Sequence, residues 1–284
     1  MTSGTTERAG DCPAEEVRSR PGIDRVAVVV PAHNEDQHLD RALSALRAAA
    51  DALERERPGM RLSITVVLDS CTDRSADITA CYVASDPRFA AVQVRLGSTG
   101  ASRAAGVVAA AGQWTGAGRL TGPGHWTGQW PGHVWLANTD ADSAVPENWL
   151  VRQVELADAG ADAVLGSVEP DPAGTDPAVL RRWLERHPFR EDHPHIYGAN
   201  FGVRASAYLA AGGFPRTRAH EDRILVENLR KQAYSVLATD TIRVLTSGRT
   251  HSRAPQGFAA YLRALALELP ALDLPALDRD SGDL

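Results

Sequence analysis

Two carboxylates separated by one small residue, Asp140 and Asp142, follow a short apolar run near the middle of the chain. An apolar run that ends in polar residues is typical of a buried strand, and alternate residues of an extended chain point to one side. The two carboxylates can therefore converge on one point, where their oxygens suit Mg²⁺ or Mn²⁺ with water and substrate phosphates as further ligands. The alternative is that Asp142, Ser143 and Pro146 only begin the next helix, because such residues are common there.

Strands and helices alternate on both sides of this pair. Residues 26–30 are apolar on both faces, as in a strand buried within a sheet, and leucines at helical spacing follow from Leu39. Further strands are predicted at 62–68, 92–94, 163–168, 198–204, 236–237 and 242–245. Further helices are predicted at 75–84, 100–111, 146–157, 177–186, 206–211, 221–231 and 257–269. This alternation predicts a doubly wound α/β sheet.

The composition argues against several classes of protein. A net charge of −6 gives no basic surface for nucleic acid. No apolar run approaches the roughly 18 residues that a membrane span needs, and residues 1–20 lack the apolar segment of a secretory signal. Three cysteines, Cys12, Cys71 and Cys81, are too few for a disulfide framework. We therefore expect a soluble, cytoplasmic protein without an integral membrane segment.

Six motifs follow one another between about residues 25 and 265, and their order is more specific than any one of them. They are VVVPAHNE (28–35), VVLDSCTDRS (66–75), GASRAAG (100–106), DAD (140–142), GANFGVR (198–204) with GGF (212–214), and ED (221–222). In this order they resemble the family 2 glycosyltransferases of the GT-A fold. The resemblance implies an α/β fold with a single Rossmann-like mixed sheet flanked by helices on both faces. It implies one domain over residues 25–270, with a nucleotide-binding half at about 25–142 and an acceptor half at about 143–270. Flexible tails would cover 1–24 and 271–284.

The resemblance also implies a reaction, in which a sugar passes from a nucleotide-sugar donor, by default a UDP-sugar, to an unknown acceptor hydroxyl with inversion. The residues that would bind the donor are Pro31, Ala32, Asn34, Glu35, Asp69, Arg103, Asn138 and Asp140. Those on the acceptor side would be Gly198, Ala199 and Asn200. A metal ion, Mn²⁺ or Mg²⁺, would be held by Asp140 and Asp142, with His251 as a candidate third ligand. Arg249 or Arg253 would lie near the phosphates.

By the same resemblance Asp222 is the general base that takes the proton of the acceptor hydroxyl, with Glu221 as the second choice. A structural alternative accompanies several of these assignments. Asp222 and Glu221 are also favoured at a helix N-terminus by the helix dipole, and Asp69 can be a helix cap. Arg103 can equally lie on a solvated helix face.

The sequence departs from the family pattern in two places. Leu68 stands where the family usually has a first acid, and Cys71 stands where serine is common, so the choice of base is open. Residues 113–132 form a segment rich in glycine and tryptophan, which is either an acceptor-facing lid or a surface insertion whose rings pack on the domain.

Two other functions remain open at the level of sequence. A nucleotidyltransferase could share the sheet and the metal, but it would usually carry a glycine-rich phosphate loop with a basic residue after the first strand. A non-catalytic module that binds nucleotide or sugar would not need both Asp140-x-Asp142 and Glu221-Asp222. A retaining outcome is a third possibility for the transferase itself.

Overall fold

The structure is a computed structural model that describes residues 20–112, 119–122, 125–127, 132–217, 220–250 and 257–268. The strands in these residues are β1 (Arg25–Ala32), β2 (Arg61–Asp69), β3 (Phe89–Val94), β4 (Arg119–Gly122), β5 (His125–Thr127), β6 (Val134–Asn138), β7 (Ser143–Ala144), β8 (Ala163–Pro170), β9 (Phe201–Arg204) and β10 (Val236–Thr246). The α-helices are α1 (Leu39–Glu56), α2 (Ser75–Ser85), α3 (Thr99–Gly112), α4 (Trp149–Asp158), α5 (Pro177–Arg186), α6 (Ala205–Ala210), α7 (Glu221–Lys231) and α8 (Phe258–Leu267).

One mixed sheet of eight strands organises the described residues, in the order β3-β2-β1-β6-β9-β8-β10-β7. Strands β3, β2, β1 and β6 are parallel, as is the pair β8 and β10. Strand β9 runs antiparallel to both of its neighbours, and β7 runs antiparallel to the end of β10. The predicted mixed α/β sheet is therefore confirmed.

Helices cover both faces of this sheet, because the strands bury apolar side chains on both sides. Val26, Val28 and Val30 of β1 pack with α1 and α4 on one face. Ala27 and Val29 pack with α3, α6 and α7 on the other. A smaller cluster joins α5 and α8 beside β8.

The register brings the carboxyl ends of three strands together. Ala32 of β1 pairs with Leu68 of β2, and Val29 of β1 pairs with Asn138 of β6. Ligands of open α/β sheets bind at such an edge, so the loops after β1, β2 and β6 can share one site.

The structure differs from the sequence prediction at several element boundaries. The two late strands at 236–237 and 242–245 are one strand, β10, because its pairing with β8 continues across a register shift between Thr239 and Val244. The strand predicted from 198 begins only at Phe201, since Asn200 N donates to Tyr197 O in a turn. The helix predicted from Pro146 begins at Trp149.

The glycine- and tryptophan-rich segment is described only in part. Strands β4 and β5 pair antiparallel within it, as a separate two-stranded sheet. Within the described residues, no helix combines the length and the apolar character that crossing a membrane requires.

Candidate active site

Asp140 and Asp142 lie in the turn between β6 and β7. Ser247 N donates to Asp142 O at 3.1 Å, and Ser143 Oγ donates to Thr246 Oγ1 at 2.9 Å. The turn is thereby fixed to the end of β10. The Asp142 side chain is 14% exposed and that of Asp140 is 35% exposed. Burial, and then the charge of Asp140, raises the pKa of Asp142 above its ordinary value.

Arg103 of α3 joins the Asp140 turn to the start of α7. Its guanidinium group donates to the carboxylates of Asp140 and Glu221, and the arginine is almost completely buried. Burial raises the pKa of Glu221, although the charge of Arg103 opposes this shift. The prediction that Arg103 could lie on a solvated helix face is therefore wrong, because both of its neighbouring carboxylates draw it into the interior.

Two glycines make this close approach possible. A Cβ atom at Gly100 would lie 2.8 Å from Cβ of Glu221, so α3 and α7 could not meet as they do. A Cβ atom at Gly198 would lie 2.3 to 2.6 Å from the guanidinium atoms of Arg103, which is closer than van der Waals contact allows. Gly198, predicted on the acceptor side, thus lies directly against Arg103.

Arg249 forms a second bridge between carboxylates. Its Nη1 and Nη2 donate to the two carboxylate oxygens of Glu35 at 2.7 and 2.8 Å. Its Nη2 also lies 2.9 Å from Asp142 Oδ2. The predicted donor-side residue Glu35 is therefore linked through Arg249 to the predicted metal ligand Asp142.

The loops after β1 and β2 are held together by side chains of the predicted nucleoside pocket. Asn34 has a φ of 54°, and its Oδ1 accepts from Thr72 N at 2.7 Å. Cys71 Sγ donates to Ala32 O at 3.4 Å, beside Pro31 at the end of β1. These contacts give the Asn34 and Cys71 side chains a structural part in shaping the pocket edge.

Asp69 ends β2 and is 5% exposed. Its carboxylate accepts from Leu96 N and Ser102 Oγ, each at 2.8 Å, and from Ser70 Oγ at 3.1 Å. Burial alone would raise the pKa of Asp69, but these hydrogen bonds outweigh it and lower the pKa. The carboxylate therefore fixes the segment that leads into α3, where Arg103 lies; the interpretation as a simple helix cap does not describe it.

Two predicted asparagines are fully buried. Asn200 donates to Ser167 O at 2.8 Å and Ile242 O at 2.7 Å, and accepts from Trp149 Nε1 at 2.8 Å. Its amide is thus saturated within the core, whereas Ala199 and Gly198 precede it toward the site. Asn138 donates to Phe201 O at 3.5 Å, and its Oδ1 has no hydrogen-bond partner among the described residues.

Asp222 lies in the first turn of α7, after His220, whose φ is 63°. It is partly exposed, and its Oδ1 accepts from Arg223 N at 2.7 Å. Its charge acts on both Arg103 and Glu221, so it lies close to that pair. Of the two acids that begin α7, Glu221 is engaged in the interior and Asp222 is accessible.

Two carboxylates of the site, Asp140 and Asp142, could contribute ligands to a divalent cation. Within the described part of the chain, no group of three or more His, Cys, Asp or Glu side chains is arranged to hold a metal ion. Asp140 and Asp142 are two hard oxygen donors, and each is neutralised by a guanidinium cation from Arg103 or Arg249. Mg²⁺ and Mn²⁺ suit a site with few carboxylates, because they keep waters and bind substrate phosphates. His251 and Arg253 lie outside the described residues.

A cluster of aromatic and histidine rings, none of them among the predicted site residues, precedes Gly198. His187 stacks on Trp183 with ring centroids 4.4 Å apart, and His195 lies 4.7 Å from His187 and 5.8 Å from Tyr197. The dense spacing of His and aromatic residues over 183–197 was a signal for it. Only the fold reveals that α8 completes the cluster through Phe258.

Comparisons with known proteins show the family and the fold of the chain. The sequence model of glycosyl transferase family 2 matches residues 27–210. No curated protein matches the chain significantly in sequence.

Solved structures of similar fold include three complexes with nucleotides. TarS (1–349) from S. aureus, in complex with UDP, has a TM-score of 0.54 at 15% identity over 86% of this chain and 64% of that one. The mannosyltransferase PcManGT from Pyrobaculum calidifontis, with GDP-Man and Mn²⁺, has a TM-score of 0.55 at 19% identity over 87% and 64%. GalNAc-T7 with UDP, GalNAc and Mn²⁺ has a TM-score of 0.54 at 14% identity over 81% and 46%. The chain thus spans less than two thirds of the length of each.

The family match covers well over half of the chain, and the solved structures show the same fold. The chain therefore belongs to glycosyl transferase family 2.

Proposed function

We propose that this chain transfers a sugar from a nucleotide-sugar donor to an acceptor hydroxyl, with a divalent metal and with inversion at the anomeric carbon. The observation that carries the proposal is the bridge from Asp140 through Arg103 to Glu221. It joins the carboxylate turn at the end of β6 to the first turn of α7, where Asp222 lies. Such an arrangement suits an inverting transfer, because carboxylates that can hold a metal for the leaving group lie near a base for the acceptor.

The donor would occupy the edge formed by the ends of β1, β2 and β6. Pro31, Ala32, Asn34 and Glu35 would line the nucleoside pocket, and Asp69 would accept from the base or the ribose. Of two fold neighbours, one is a complex with UDP and one a complex with GDP-Man, which supports a nucleotide-sugar donor. A UDP-sugar remains the first choice of donor. In this proposal residues 25–142 form the nucleotide half and 143–270 the acceptor half.

Asp140 and Asp142 would hold Mn²⁺ or Mg²⁺, with His251 as the third protein ligand. The ion would supply Lewis-acid stabilisation of the negative charge that grows on the diphosphate as the glycosidic bond breaks. Two fold neighbours are complexes with Mn²⁺. The buried Arg103 would keep Asp140 oriented through Nη2, while its Nη1 holds Glu221 at the start of α7.

Asp222 would be the general base. A base must reach the acceptor hydroxyl within hydrogen-bond distance and keep its proton-accepting oxygen accessible. Asp222 is partly exposed, whereas the Glu221 carboxylate is buried against Arg103. Gly198 and Ala199 would border the acceptor.

The test is the release of nucleoside diphosphate from a panel of UDP- and GDP-sugars with Mn²⁺, with Mg²⁺ and with excess chelator. We expect metal-dependent release in the parent protein and a severe loss in Asp142→Asn. Asp240→Asn is the matched control, because Asp240 is 18% exposed and is paired with an arginine, Arg243, outside the site.

Each alternative function or mechanism predicts a different experimental result. Full activity in excess chelator would exclude the metal-dependent mechanism. A nucleotidyltransferase would release pyrophosphate from a nucleoside triphosphate and a sugar phosphate. A non-catalytic module would bind nucleotide without any turnover. A product that retains the donor's anomeric configuration would exclude inversion.

A further inference from the structure

Among the described residues, Arg249 is the cation in contact with the Asp142 carboxylate. Its Nη2 lies 2.9 Å from Asp142 Oδ2 and also donates to Glu35 Oε1 at 2.8 Å, while Nη1 donates to Glu35 Oε2 at 2.7 Å. A guanidinium group is planar and permanently charged, and it matches two carboxylates in a fixed geometry. A metal ion that bound Asp142 through the same oxygen would have to displace Nη2.

The two arginines of the site differ in their freedom to move. The Arg103 side chain is 3% exposed and projects from the helix α3 into the interior. The Arg249 side chain is 33% exposed and follows the end of β10, in a segment without regular structure. Because Arg249 is exposed and lies outside a helix, it can leave Asp142 at a lower cost than Arg103 can leave Asp140.

The same arginine can then bind the other ligand of the site. A displaced guanidinium group would lie beside a bound cation, and an anion is needed to compensate for the added positive charge. A diphosphate offers several oxygens to a guanidinium fork. In this exchange Nη2 would leave both Asp142 Oδ2 and Glu35 Oε1 for the anion, while Nη1 would keep its hydrogen bond to Glu35 Oε2.

We propose that Arg249 couples the two ligands of the site: it opposes metal binding when no nucleotide is present and supports it when a nucleoside diphosphate is bound. This inference rests on the proposed function, because it takes Asp142 as a metal ligand. In thermodynamic terms Arg249 produces part of the coupling between metal and nucleotide, and such coupling is reciprocal. The metal alone therefore binds weakly, and metal and nucleotide together bind tightly.

The experiment measures Mn²⁺ binding by the electron paramagnetic resonance signal of free Mn²⁺, on chelator-treated full-length protein. The titration is done without nucleotide, with UDP and with GDP. The variants are Arg249→Gln and, as a matched control, Arg243→Gln. Arg243 is 32% exposed and also contacts two carboxylates, Glu169 and Asp240, away from the site.

Without nucleotide, we expect Arg249→Gln to bind Mn²⁺ at least about fivefold more tightly than the parent, the lower end of usual coupling factors. With UDP or GDP, we expect this advantage to vanish or reverse, and the affinity for the nucleotide to fall by a similar factor. Arg243→Gln should match the parent in both titrations. Arg249→Lys keeps the positive charge but loses the planar pair of donor nitrogens. Its affinities for Mn²⁺ and for nucleotide should therefore fall between those of the parent and Arg249→Gln.

The inference is overturned if Arg249→Gln and Arg249→Lys bind Mn²⁺ no more tightly than the parent when nucleotide is absent. It is also overturned if their affinity for Mn²⁺ rises equally with and without nucleotide. In both cases metal-dependent nucleotide binding by the parent would still support the proposed function. If the parent binds no Mn²⁺ with either nucleotide, the inference and the metal-dependent mechanism both fail. Melting curves of each variant verify that it is folded.

Discussion

A Cβ atom at Gly198 would lie 2.3 Å from Nη1 of Arg103, so the absence of a side chain at Gly198 provides the space for the buried guanidinium group. The two residues are on different elements and belong to different motifs of the sequence. Their contact means that the loop before β9 determines where the bridge between Asp140 and Glu221 can form.

The first prediction concerns this space. Gly198→Ala should push Arg103 away from at least one of its two carboxylates and destabilise the protein by about 1–3 kcal/mol, the usual cost of overpacking. Denaturant unfolding measures this loss, and turnover should fall with it. Gly112→Ala is the control, because a Cβ atom there meets open space. Equal stability of the two variants would show that Arg103 adapts without loss.

The second prediction separates the two acids of α7. Asp222→Asn should keep nucleotide affinity and stability but lose roughly 10²-fold or more in turnover, the usual scale of acid–base catalysis. Glu221→Gln should instead lose about 1.5–3 kcal/mol of stability, because it weakens a hydrogen bond to a buried charge. Measuring turnover, donor affinity and unfolding on both variants decides the assignment. A dead Glu221→Gln beside an active Asp222→Asn would move the base by one residue.

The third prediction concerns Asp69. Asp69→Ala should lower the melting temperature, because Leu96 N and Ser102 Oγ lose their acceptor. It should also abolish the rise in melting temperature that a nucleoside diphosphate and metal produce by binding the native state. Ser102→Ala removes only one donor and should retain that rise. If Asp69→Ala binds nucleotide as the parent does, Asp69 only orders the segment before α3.

The fourth prediction concerns pH. Burial, with the nearby charges of His187, His193 and Arg190, lowers the pKa of His195 to about 4, against 6.5 for an ordinary histidine. Between these values the unfolded chain binds the additional proton, so stability should rise with pH. The contribution of His195 to the free energy of unfolding should therefore fall as the pH is lowered from about 6.5 to about 4.

Denaturant unfolding at a series of pH values measures this dependence, with His195→Gln as the comparison. The variant should lose part of the slope in this window. His187, whose pKa is also lowered by burial, contributes a slope of the same sign, whereas Asp142 and Glu221, whose pKa values are raised by burial, contribute slopes of the opposite sign. The carboxylates with lowered pKa, such as Asp69, act in a separate window below about pH 4. A slope that the substitution leaves unchanged would contradict the role of His195.

Local pattern was sufficient to predict the order of the longer elements, although not the short strands β4, β5 and β7. Apolar runs such as 26–30 predict strands that are buried on both faces of a sheet. This prediction needs only the residue types in the run, whichever strands and helices later pack against it. Asp140 and Asp142, in contrast, were expected on an extended chain, but they lie in the turn after β6, so the rule for alternate residues does not decide where their side chains point. The ordered motifs then indicated the family, which the comparison over residues 27–210 confirms.

Element boundaries were less predictable where a partner strand decides them. β10 is one strand because β8 continues beside it, although its own sequence is interrupted at Asp240. Asn200 was predicted at the acceptor side, yet its amide is saturated by Trp149, Ser167 and Ile242. Nothing near Asn200 in sequence indicates those partners.

The sequence by itself determined which residues could do chemistry and at which strand ends they stand. Only the tertiary structure decided their partners: Arg103 with Glu221, 118 positions apart, and Arg249 with Glu35, 214 positions apart. The physical reason is that an ion pair requires two charged groups within a few ångströms, and that distance depends on strand order and packing. Periodicity and spacing specify the face of an element, whereas the insertion of β9 between β6 and β8 specifies which elements meet.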